Sequence, residues 1–138
     1  MSEIENVRID SVSITMEDHG CLTFLIRVIG NGFGCGIGNY IGGHGYLGSR
    51  YWSGSGSMLV AMMKIMNVVG VERWESLRGQ YCRVKINDGI VVSIGNIIRD
   101  NWFDIKQFFS MTGEETPFVL DERPKEQYNK EDVGDMNE

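Results

Sequence analysis

The stretch VRIDSVSITMEDHGCLTFLIRVI, residues 7–29, reads as two strands joined by a tight turn, and that hairpin sets the fold class. Successive side chains of a strand point to opposite faces, so apolar and polar residues alternate where one face is buried. Val7 and Ile9 start in one phase, whereas Val12, Ile14 and Met16 continue in the other. One extra residue near Asp10 and Ser11 produces that jump, so a bulge is expected there. Glu17-Asp18-His19-Gly20 makes the turn, with Gly20 free to take positive φ. The returning strand sets Leu22, Phe24, Ile26 and Val28 on one side and Thr23, Leu25 and Arg27 on the other.

Immediately downstream, GNGFGCGIG (residues 30–38) has glycine at every second position. One face of such a strand is bare main chain, while Phe33, Cys35 and Ile37 fill the other. Glycine in a strand costs roughly 0.5–1 kcal/mol relative to alanine. Close approach of a ligand or of another backbone is the usual compensation, so this ribbon is expected to border a cavity that admits a compact anion.

Residues 42–56 read as a long Gly/Ser-rich loop carrying His44, Tyr46, Arg50, Tyr51 and Trp52. A helix is expected from an N-cap at Ser57 to Val69, closed by Gly70. It is apolar on nearly all sides apart from Lys64 and Asn67, which predicts cover from its own sheet and from a second subunit. A helical turn at residues 72–77, a hairpin of residues 81–86 and 90–98 turning at Asn87-Asp88-Gly89, and a last helix from Trp102 to Phe109 complete the pattern. The expected fold is α+β: an antiparallel sheet of about five strands, one long apolar helix and a short C-terminal helix. Residues 1–112 form the globular domain, and residues 113–138 an acidic, disordered tail in which Pro117-Phe118-Val119-Leu120 can dock on the body or a partner.

Charge follows the same division. The net charge of −6 lies wholly in residues 113–138, since residues 1–112 hold equal numbers of acids and bases. A neutral body lacks the basic footprint that polymeric nucleic acid requires, although a small nucleotide is not disfavoured. No run approaches the ~20 apolar residues that cross a bilayer, and the polar, acidic N-terminus is unlike a signal peptide. A cytoplasmic protein with no membrane partner is expected. Cys21, Cys35 and Cys82 are in no paired or metal-ligand spacing and read as buried thiols of a reducing compartment.

Few residues invite chemistry. Asp18-His19 resembles a carboxylate-oriented imidazole, but neighbours on a tight turn rarely face each other, so turn capping is the better reading. His44 has no second histidine or cysteine pair near it in sequence, and no metal or cofactor is expected. Asn96 and Arg99, in IGNIIRDNWF (residues 94–103), suit a base or ribose edge and a phosphate; the plainer reading makes Asn96 a turn residue and Arg99 a surface ion-pair partner. The methionines of the first helix are core or interface.

Together, EDHGCLTF (residues 17–24), GFGCGIGNY (32–40), GHGYLG (43–48) and IGNIIRDNWF resemble small prophage-borne proteins, and among these the first-described Thoeris anti-defence family of phages. The resemblance covers residues 4–109. It implies a non-enzymatic sponge in the host bacterial cytoplasm: a homo-oligomer, dimer or hexamer, that captures a cyclic ADP-ribose isomer, and in some members cyclic oligonucleotides, without cleaving it. Asn96 and Arg99 are then the foremost ligand-binding candidates, with Arg27, Arg50, Phe33, Gly36, Gly38, His44 and Tyr46. The alternative is a phage inhibitor acting by direct contact with a host defence protein, and a hydrolase using His19 or His44 is the third possibility.

Overall fold

The computed structural model describes residues 2–38, 40, 42–45, 51–112 and 118–121. It is α+β and mostly antiparallel, with β1 (Ser2–Asp18), β2 (Cys21–Gly30), β3 (Phe33–Gly38), β4 (Gly43–His44), β5 (Tyr51–Gly54), α1 (Gly56–Val69), a 3-10 turn (Trp74–Leu77), β6 (Tyr81–Asn87), β7 (Ile90–Asn96), β8 (Trp102–Asp104), α2 (Ile105–Thr112) and β9 (Phe118–Asp121). The strand order is β8-β7-β6-β1-β2-β4-β5-β9, with β3 also on β2. No described helix is long and apolar enough to cross a membrane.

β1 organises this sheet because it is long enough to serve two neighbours. Its first half pairs with β6 and its second half with β2. The register slips between Ile9 and Ser11, leaving Asp10 as the expected extra residue. Ile9 opposite Val28 and Val12 opposite Ile26 consequently share the inner face, while Ser11 opposite Arg27 shares the outer. His19 (φ 55) and Gly20 (φ 77) make the two-residue turn whose left-handed backbone matches strand twist. The β6–β7 hairpin closes the same way through Asp88 (φ 54) and Gly89 (φ 77).

The sheet holds nine strands among the described residues, where about five were expected. β3 and β4 occupy one lane beside β2, divided at Gly38, where φ is 148 and a Cβ would strike the carbonyl of Phe24. β4 and β5 lie inside the segment expected to be a structureless loop, and β8 takes the start of the expected last helix. These segments are two to four residues long, too short to show a period, and hydrogen bonding to a neighbour defines them. β9 is the Phe118–Asp121 stretch of the acidic tail, paired antiparallel with β5; the rest of the tail lies outside the described residues.

The sheet curls strongly, since β3 contacts β7. In a flat sheet those strands would stand four spacings, about 19 Å, apart. The concave side holds Val7, Ile9, Phe24, Ile26, Val28, Val84 and Ile94, packed against Met58, Ala61, Met62, Ile65 and Val68 of α1. Each large apolar side chain so buried contributes about 1.5–3 kcal/mol. α1 begins two residues earlier than expected, with Ser55 as N-cap accepting from the Ser57 N–H, and it ends as expected at Gly70 in the left-handed region. Its outer side leaves Leu59, Val60 and Met63 exposed beside Lys64 and Asn67, so the described residues cover the helix on one side. Tyr40 stacks on Phe109 at 4.0 Å and ties the β3–β4 connection to α2.

Candidate functional site

The candidate residues fall in three places. Arg27 and Gly36 are opposed on β2 and β3 and share the outer face with Ser11. Phe33 lies on the other side of β3, with its ring over Gly30 where a Cβ would otherwise sit. Gly38 is needed internally, for the close approach to Phe24 already noted. His44 is exposed on β4, opposite Cys21 and Ser53, with its Nδ1 3.4 Å from the Cys21 Sγ. Arg50 and Tyr46 lie outside the described residues.

Asn96 and Arg99 meet in the β7–β8 connection. The Asn96 Oδ1 accepts from the N–H groups of Ile98 and Arg99, both at 2.9 Å, and its Nδ2 donates to the Val68 carbonyl at 2.9 Å. That amide therefore joins the turn to the end of α1, which is the plainer of its two sequence readings. Sequence reasoning passed over Arg83. Its Nε and Nη2 donate to the carbonyls of Asn96 (2.7 Å) and Arg99 (2.8 Å), and its guanidinium lies 4.9 Å from the Trp102 ring centre. The Lys85 Nζ stands 4.6 Å from the same ring, which covers Gly95. Nothing in the strand's alternation singles out Arg83 or Lys85; the opposition of Arg83 to Gly95, and of Gly95 to Trp102, is what assembles them.

The ribbon's glycine face is open. Gly34 and Gly36 are exposed, and a Cβ on either would meet nothing closer than the Val28 carbonyl at 3.6 Å or the flexible Leu25 Cδ1 at 3.1 Å. The notable hollow lies elsewhere, at the head of α1. It has a volume of about 370 Å3 and is lined by Leu22, Gly42, Gly54, Ser55, Gly56, Met58 and Leu59. Main chain forms much of its wall because three of those residues are glycine. The N-terminal N–H groups of a 14-residue helix open beside it, bringing partial positive charge to an otherwise apolar cleft.

The cysteines differ from the expected buried set. Cys82 is buried, and desolvation pushes its thiol up to about 12. Cys21 and Cys35 are only part-buried, though burial also raises the Cys35 thiol. None is disulfide-bonded. Among the described residues no group of three or more His, Cys, Asp or Glu side chains is placed to hold a metal ion. Comparison with protein-family models, with curated proteins and with solved structures finds no match for this chain.

Proposed function

We propose that this protein is a phage-encoded anti-defence sponge: it binds a cyclic nucleotide signal, a cyclic ADP-ribose isomer first among the candidates, and withholds it from the host without cleaving it. The observation that carries the reading is the hollow at the head of α1. Its volume of about 370 Å3 falls within the ~300–1,000 Å3 of small-molecule pockets. Leu22, Met58 and Leu59 offer apolar surface to a base or ribose, and the helix terminus suits a phosphate. The resemblance of the four sequence strings to the Thoeris anti-defence proteins supplies the ligand class.

Titration calorimetry with cyclic ADP-ribose isomers and with cyclic di- and trinucleotides tests this. Binding is expected to at least one, with the ligand recovered unchanged when the complex is heated. Gly54→Leu should weaken it at least tenfold, because Gly54 lines the hollow and has room for a side chain, its nearest neighbour being the Gly42 carbonyl at 3.6 Å. Absence of heat with every ligand ends the proposal.

The contact-inhibitor reading rests on a different observation, the exposed Leu59, Val60 and Met63 on α1. An apolar patch of that kind fits a protein partner. Met63→Glu separates the two readings: a contact inhibitor loses its anti-defence activity, whereas a sponge keeps both activity and ligand binding.

A further inference from the structure

We propose that Cys21 is a nucleophilic thiol served by the His44 imidazole, a modification site that takes small-molecule disulfides from the outer face of the sheet. Strand pairing builds it from residues 23 positions apart. Cys21 opens β2 straight after the His19-Gly20 turn, and Leu22 behind it faces inward to the hollow at the head of α1. Cys21 therefore points to the opposite, outer side. His44 on β4 is its opposed residue. The Gly45 N–H donates to the Gly20 carbonyl at 2.9 Å, so the next rung, Cys21 with His44, is of the non-hydrogen-bonded kind whose side chains stand closest. The result is a sulfur 3.4 Å from the imidazole Nδ1 on an exposed face.

The three cysteines are not equivalent. Cys82 is buried, and the desolvation that pushes its thiol up to about 12 keeps it protonated. Cys35 lies on the same side of β3 as buried Ile37, and burial raises its thiol as well. Cys21 is only part-buried and has an imidazole against its sulfur. With the ring proton on Nε2, the Nδ1 lone pair accepts from the S–H, and a thiol paired in this way with a base is an activated nucleophile. An ordinary thiol is only a few per cent thiolate near pH 7, which leaves a built-in proton acceptor about tenfold to gain.

The surroundings select the reactant. Cys21 lies on the outer face, whereas the wall of the hollow takes its neighbour Leu22. Acyl transfer needs a held substrate and donors fixed around a developing oxyanion, which call for an enclosed site. A disulfide needs neither, because its sulfur is already electrophilic and the departing thiolate is stable in water. In the step, the Cys21 Sγ gives its proton to the His44 Nδ1 and attacks one sulfur of the disulfide. A bond from Sγ to that sulfur forms as the S–S bond of the reactant breaks. The departing thiolate takes the proton from the imidazolium and leaves as a thiol. Cys21 is oxidised, the released half of the disulfide is reduced, and no other oxidant is needed.

The test treats the full chain at about pH 7 with oxidised glutathione and locates the adduct by mass spectrometry of its peptides. The mixed disulfide should form first at Cys21, with Cys35 and Cys82 lagging. His44→Gln keeps a hydrogen-bonding group but has no basic nitrogen, so it should slow loading of Cys21 by about tenfold and leave the rate at Cys35 unchanged. Imidazole added to a His44→Ala variant should recover part of the lost rate, a response that a merely structural histidine would not give. Circular dichroism matching the parent checks that both variants fold. No loading, loading led by Cys35, equal rates at all three cysteines, a Cys21 rate untouched by the His44 substitutions, or no rescue by imidazole would each overturn the proposal. Should neither variant fold, the order of loading in the parent decides.

Discussion

Glycines within one ribbon carry different duties, and substitution separates them. At Gly38 the φ of 148 lies where L residues are strained, and a Cβ would run into the Phe24 carbonyl, which belongs to the backbone and cannot swing aside. Gly38→Ala should destabilise the protein by on the order of 3 kcal/mol. At Gly34 the backbone is extended and the nearest atom to a Cβ is the Val28 carbonyl at 3.6 Å. Gly34→Ala should therefore stabilise the fold by about 0.5–1 kcal/mol, the strand penalty of glycine removed. Urea midpoints at constant m would measure both. Destabilisation by Gly34→Ala would mean that the bare face is already in use inside the chain. The sequence announces the glycine period, yet it does not distinguish a glycine required by its neighbours from one that leaves a surface open. That distinction depends on whether a carbonyl or solvent stands where the Cβ would be.

Between elements, Asn96 is the clearest joint. Its amide binds the end of α1 through Val68 and caps the turn through Ile98 and Arg99, so three hydrogen bonds depend on one side chain. At about 1 kcal/mol net for each, Asn96→Ala should cost about 2–3 kcal/mol in urea denaturation. Asn96→Asp should not restore the loss, since it keeps the acceptor for both N–H groups but sets a carboxylate oxygen against the Val68 carbonyl at the C-terminus of α1. Any loss of ligand affinity in Asn96→Ala would need that stability loss subtracted before it counted as contact. The long elements were legible in the sequence: the β1 bulge, both tight turns and the α1 C-cap rest on local periodicity and turn chemistry. β4, β5, β8 and β9 were not, because a strand of two to four residues has no period and exists only through its partner. The same limit hid Arg83, whose neighbours Asn96, Arg99 and Trp102 are brought to it by strand pairing.

Across the whole molecule, the acidic tail supplies a strand to the sheet at Phe118–Asp121. β9 pairs with β5 through four opposed positions, Tyr51 with Asp121 to Gly54 with Phe118, and β5 in turn supplies Gly54 to the hollow at the head of α1. A backbone hydrogen bond is worth roughly 0.5–1.5 kcal/mol net, so losing the β5–β9 ladder by ending the chain at Thr112 should cost on the order of 2 kcal/mol and expose the β5 edge to association. Ending it at Asp121 keeps every one of those pairs, so its thermal midpoint should lie above that of the chain ended at Thr112. Ligand affinity should follow the same division, weakened in the shorter chain because Gly54 loses its strand neighbour and kept in the longer one. Equal loss from both truncations would place the tail's contribution in residues 122–138 and remove β9 from the account of the hollow.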